Sequence, residues 1–189
     1  TKIPHGSGNT KQISDYLVEF AKEHGLKYIQ DESNNVIIFK DASKGYEKAP
    51  CVILQGHMDM VCEKTPESSH DFTKDPLELV VEGDYISAKD TTLGGDDGIA
   101  VAYALAILED DSLCHPALEV LITVDEEIGL LGAVALDTTP LKGRYLINLD
   151  SEEEGYLWVG CAGGLRTKSL KQVKYQEAEG TKYDITLTG

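Results

Sequence analysis

Cys51-Val52-Ile53-Leu54-Gln55-Gly56-His57-Met58-Asp59 decides how this sequence is read. Residues 51 to 55 form a near-continuous apolar run, as expected of a strand covered on both faces. The strand then delivers an imidazole and a carboxylate at its C-terminal end. In open α/β sheets the carboxyl ends of the strands form the crevice where ligands bind. His57 and Asp59 are two apart, so on an extended backbone their side chains point the same way. Asp59 can then hold one ring N–H of His57 while the other ring nitrogen faces a metal.

Two further apolar runs end in the same manner. Ala117 to Val124 reads as a second buried strand and runs directly into Asp125-Glu126-Glu127. Arg144 to Leu149 reads as a third and ends in Asp150. Glu126 and Glu127 are adjacent and diverge, so one can ligate while the other stays free as a base. Between the first two runs lies Thr92-Leu93-Gly94-Gly95-Asp96-Asp97-Gly98, an acidic turn that opens a helix from about residue 98 to 109. Two like charges side by side repel, and a nearby cation is the simplest way to keep both ionised. That helix is apolar nearly all round, so it is expected to lie sandwiched against a sheet.

Each feature has a plainer reading: a structural histidine, a solvated acidic pair, a turn aspartate, an acidic helix cap. Their combination is harder to explain that way. An apolar strand that ends in unpaired charge is costly unless something binds the charge. One imidazole among several carboxylates is a zinc donor set, and two ions sharing one carboxylate need about as many ligands as these segments supply.

The remaining segments frame this pattern. Ile13, Tyr16, Leu17, Phe20, Ala21 and His24 recur at helical spacing, with Asn9 or Thr10 to cap the helix and Gly25 to stop it. Lys27 to Gln30 and Val36 to Lys40 read as a hairpin around Asn34-Asn35, and Leu77 to Val81 and Tyr85 to Ala88 as strands joined at Gly83-Asp84. Leu130 to Leu136 reads as a short helix, and Gly155 to Val159 and Leu165 to Val173 as further strands. Strand and helix alternate, so the expected class is α/β, a central mixed sheet with helices on both faces.

Composition narrows the function. With 33 acidic and 17 basic residues the net charge is −16, which argues against nucleic acid and anionic membrane surfaces as partners. No apolar run approaches the ~18 residues of a membrane span, and no signal peptide opens the chain. The cysteines, at 51, 62, 114 and 161, show no CxxC spacing, so reduced thiols and a cytoplasmic location are expected. The start at Thr1 suggests a segment of a longer protein.

GHMDMV at 56–61, TTLGGDDGIA at 91–100, TVDEEIG at 123–129 and NLDSEEEG at 148–155 resemble the cocatalytic dizinc peptidases of the aminoacylase and carboxypeptidase G group. HDFTKDPLEL at 70–79 and GCAGG at 160–164 are similar to its aminoacyl-histidine dipeptidase branch, the Xaa-His or cytosolic non-specific type. The resemblance implies two zinc ions, with cobalt or manganese as substitutes, and hydrolysis of carnosine-like dipeptides by a zinc-bridging water. It implies that His57 binds one zinc with Asp150, that Asp96 bridges both ions, and that Glu127 binds the second. Glu126 is then the general base and Asp59 orients His57. A cis peptide is implied at Asp96–Asp97.

The resemblance also implies departures. Asp97 stands where this branch often has Asn. The second zinc of the family takes a histidine from far along the chain, and His5, His24, His70 and His115 lie in no matching motif. Residues 1–173 then form the N-terminal part of the catalytic domain, truncated before the lid, and 174–189 the start of the inserted lid, through which the full-length protein would dimerise. Two rivals stand beside this reading. Two-metal sites also cleave phosphoesters, but only Lys89 and Arg144 lie near these motifs to hold a phosphate. The 189 residues could also be a catalytically incomplete part of a larger chain, or belong to another amidohydrolase of the family, a deacylase or aminopeptidase.

Overall fold

The computed structural model describes all residues except 152–154, 162, 165–166, 178, 182 and 187–189. It divides into two units, Thr1–Gly155 and Tyr156–Gly189. The first holds α1 (Lys11–Glu23), β1 (Lys27–Gln30), β2 (Val36–Lys40), β3 (Val52–His57), β4 (Leu79–Glu82), β5 (Tyr85–Ala88), α2 (Gly95–Glu109), β6 (Leu118–Thr123), α3 (Leu131–Ala135) and β7 (Tyr145–Asn148).

Five strands form one mixed sheet in the order β1-β2-β6-β3-β7. β1, β2 and β6 pair antiparallel, whereas β3 runs parallel to both β6 and β7. β6, six consecutive buried residues, lies at the centre as its apolar run demands. Its one charge, Glu119, is buried and accepts hydrogen bonds from the N–H groups of Lys142 and Gly143. β4 and β5 form a separate hairpin whose Gly83 takes a positive φ of 61°, a conformation glycine adopts without steric cost.

On one face of the sheet, Leu17, Phe20 and Ala21 of α1 and Ala104 and Leu108 of α2 pack with Val36, Ile38, Leu54, Val120 and Ile122. The opposite face carries a smaller cluster of Ile37, Ile53 and Leu121, met by Leu136 and Leu141 just after α3. α1 ends where the sequence places its stop. Gly25 takes a φ of 65°, and the N–H groups of Gly25 and Leu26 donate to the carbonyls of Lys22 and Ala21, the Schellman closure. Thr10 holds the N-cap position but makes no capping side-chain bond.

Three expectations need correction. α2 is not sandwiched: Ala100, Ala104 and Leu108 are buried, while Ile99 and Tyr103 are more than half exposed. Its uniform apolar content conceals a single packed stripe at four-residue spacing. β7 is not a buried strand either. It lies at the sheet edge with all four residues exposed, because an apolar run shows that a strand can be covered, not that it is. Finally, Gly155 to Val159 and Leu165 to Val173 carry no strand at their described residues, and apolar alternation without a paired neighbour makes no ladder. Leu165 and Arg166, like Glu152 to Glu154 and Ala162 of the quoted motifs, lie outside the described residues.

Candidate metal centre

Parallel pairing sets the site. β3 and β6 align His57 with Thr123, and β3 and β7 align Gln55 with Asn148. Asp150, two residues past Asn148, therefore comes level with His57 on the neighbouring strand. Glu126 and Glu127 follow three and four residues after Thr123 at the same rim. The fourth contributor is Asp96: Gly94, with φ 67°, turns the chain just ahead of it, and Asp96 lies in the first turn of α2 beside the end of β3.

The distances follow from that arrangement. His57 Nε2 lies 3.0 Å from Asp96 Oδ1 and 3.9 Å from both Glu126 Oε2 and Asp150 Oδ1. Among the described residues, two groups offer ligand atoms that all lie within 4.8 Å of one another, His57 with Asp96 and Asp150, and His57 with Glu126 and Glu127. His57 is the shared member and is buried, while Asp96, Glu126 and Asp150 remain partly open to solvent. All five residues singled out as candidate ligands or base therefore meet at one rim.

Asp59 is the sixth, and its contacts are richer than the sequence suggests. Its backbone carbonyl, 2.9 Å from His57 Nδ1, is the closer partner of the imidazole, and its Oδ1 stands at 3.4 Å. The buried carboxylate accepts instead from the N–H of Glu126 at 3.1 Å and of Glu127 at 3.4 Å. The Ser7 hydroxyl donates to it at 2.8 Å. Sequence reasoning missed Ser7, and it singled out Asp97 without giving it a partner: the buried Asp97 Oδ2 accepts the His57 backbone N–H at 3.1 Å. Ser7 sits in a string of small residues that carries no periodic signal. The peptide bond between Asp96 and Asp97 is cis.

Electrostatics bear on what this set can hold. A carbonyl only accepts, so Nδ1 of His57 carries the proton that bonds to Asp59. Nε2 then faces Asp96 Oδ1 at 3.0 Å, which is acceptor against acceptor unless a positive charge intervenes. Burial pulls the His57 pKa down, but Asp59, Asp150 and Asp97 outweigh it and carry it up to about 10. Burial raises Asp97 to about 6 against the pull of His57, and burial with the Asp97 charge raises Asp150 to about 6. Glu127 is also raised, first by burial and then by Asp96. Asp59 moves the other way. Burial opposes its ionisation, yet His57, the Glu126 N–H and Ser7 hold its pKa below the ordinary value. A rim that pushes protons onto its carboxylates and its imidazole has an excess of negative charge. A divalent cation with N and O ligands fits it.

No family model matches the chain. It is 46% identical over 163 residues to the cytosol non-specific dipeptidase of Escherichia coli (strain K12), covering 86% of this chain and 34% of that protein. The crystal structure of aminoacylhistidine dipeptidase from Vibrio alginolyticus superposes with a TM-score of 0.79 at 44% identity, over 82% of this chain and 31% of that one. A tripeptidase from Staphylococcus aureus is more distant, with a TM-score of 0.67 at 26% identity, over 80% of this chain and 41% of that one. The chain thus spans about a third of the length of its two nearer relatives. In sequence and in fold alike, this chain is similar to one part, about a third, of a cytosol non-specific dipeptidase and of an aminoacylhistidine dipeptidase.

Proposed function

We propose that this chain carries the metal-binding core of a dipeptidase that hydrolyses Xaa-His dipeptides of the carnosine type. One observation carries the reading: a buried imidazole faces carboxylates from three separate segments across distances of 3.0 to 3.9 Å. The names of the two nearer relatives supply the substrate class. His57 and Asp150 would hold one zinc, Glu127 a second, and Asp96 both, with cobalt or manganese accepted by the same donors. Zinc so held lowers the pKa of water to about 7 and polarises a carbonyl oxygen.

The protein residues do the rest. Asp59 keeps the proton of His57 on Nδ1 through its carbonyl, so that Nε2 stays an electron-pair donor. The Glu126 carboxylate takes a proton from the attacking water and passes it to the amine nitrogen as the peptide C–N bond breaks. General-base help of this kind is worth about 10²–10⁴-fold.

The test is an assay of the intact protein with Xaa-His dipeptides and, in parallel, a phosphodiester. Dipeptide hydrolysis should disappear with a chelator and return with zinc. Glu126→Gln should lower kcat by about 10²-fold or more at unchanged zinc content. Dipeptide turnover that survives chelation, or a Glu126→Gln variant as active as the parent, would remove the reading.

A second reading is that the 189 residues are catalytically incomplete without the remainder of a longer chain. It is favoured by the metal groups themselves, in which His57 is the only imidazole among the described residues. Zinc titration of this segment beside the intact protein distinguishes the two: equal stoichiometry would remove this reading. We extend to the intact protein the cytoplasmic location suggested by its four free cysteines and by the name of the relative from Escherichia coli. The family resemblance adds a homodimer.

A further inference from the structure

The acidic turn after β6 is held both at its stem and towards its tip. At its stem, the buried Asn35 side chain accepts from the Val124 N–H at 3.1 Å and donates to the Gly132 carbonyl at 2.9 Å. At its tip, the N–H groups of Glu126 and Glu127 both point to the Asp59 carboxylate. That carboxylate is almost fully buried, so the direction it faces depends on the donors around it. Its one hydroxyl donor comes from the far end of the sequence. Ser7 Oγ donates to Asp59 Oδ2 at 2.8 Å, 52 residues away in the chain.

The Ser7 segment is itself well fixed. Gly6 bridges Met60 in parallel register, the Ser7 N–H donates to the Met60 carbonyl at 3.2 Å, and the Gly8 N–H donates to Asp125 Oδ1 at 2.7 Å. Residues 7 and 8 therefore touch both Asp59 and the first residue of the acidic turn. Sequence reading gave residues 6 to 8 no role.

We infer that Ser7 is a positioning residue: through Asp59 its hydroxyl fixes the turn that presents Glu126 and Glu127 to the rim. The hydroxyl holds Oδ2, the fixed carboxylate holds the two N–H groups, and the two side chains are aimed as a consequence. Asn35 keeps the stem in place and the Gly8 N–H keeps Asp125, both independently, so loss of the Ser7 hydroxyl loosens Glu126 and Glu127 alone. The importance of this for catalysis rests on the function proposed above, whereas the anchoring itself does not.

Hydrogen–deuterium exchange on the metal-free intact protein reads the anchoring directly. In Ser7→Ala the amides of Glu126 and Glu127 should exchange about tenfold faster or more, as one charge-assisted hydrogen bond allows. Amides of β2 should keep the parent rate. Ser7→Thr, which retains the hydroxyl, should restore slow exchange at the tip. Zinc affinity and kcat should then fall about 10–100-fold in Ser7→Ala with KM little changed, and recover in Ser7→Thr. Unchanged tip exchange in Ser7→Ala, a Thr variant as loose as Ala, or faster exchange that extends to β2 would each overturn the assignment. A parent protein that binds no zinc, while Ser7→Ala still loosens the tip, would overturn the functional reading and leave the anchoring standing.

Discussion

At the scale of single residues, His57 is the hinge of the account. With Nδ1 committed to the Asp59 carbonyl, Nε2 must face Asp96, Glu126 and Asp150 with a proton or a metal ion between. Without metal, the raised values of Asp97, Asp150 and His57 set a sign. A raised folded-state pKa contributes stability below the unfolded value and loses it as pH rises through the folded value. Asp97 and Asp150 lose theirs as pH climbs towards and through about 6, and His57 loses its own above neutrality towards about 10. In the presence of a chelator, the urea midpoint of the protein should therefore fall between pH 5 and 8 (from about one unit below to about two above the raised carboxylate values). Added zinc should flatten or reverse that slope. A metal-free midpoint that rises over this range would show that the rim carries no excess negative charge. The residues that meet at the rim were legible in the sequence because each closes an apolar strand or opens a helix. Ser7 was not, since a hydroxyl donor 52 residues away leaves no local pattern.

At the scale of elements, the approach of β3 to α2 decides whether Asp96 reaches His57. Gly56 makes that approach close: a Cβ built there would lie 2.5 Å from Asp97 Oδ2 and 2.7 Å from the Ala100 Cβ. Gly56→Ala should push α2 off the strand and cost about 1–3 kcal/mol, as overpacking does, measurable by urea unfolding, and zinc affinity should drop with it. Parent-like stability and zinc binding would mean that the contact between these two elements is loose. Period and punctuation were sufficient to locate α1, the β1–β2 and β4–β5 hairpins, β3, β6 and α3. They located β7 as well, but they misjudged its burial and that of the outer side of α2, where the sequence is apolar but the surface is exposed. Apolar content states what a segment can bury, and only its neighbours determine whether it does.

At the scale of the whole molecule, the central claim is that groups from positions 57, 96, 127 and 150 share divalent ions at one rim. The order β6-β3-β7 makes this natural, since three parallel strands end side by side at the edge where α/β sheets bind ligands. The relatives, of which this chain spans about a third, share that fold and carry dipeptidase names. The most direct measurement is anomalous diffraction at the zinc edge from zinc-loaded crystals of the intact protein. Two peaks about 3.5–4 Å apart are expected, one at about 2.0–2.2 Å from His57 Nε2 and an Asp150 oxygen, the other against Glu127, with Asp96 touching both. Zinc bound elsewhere, or a rim that stays empty at saturating zinc, would contradict that claim.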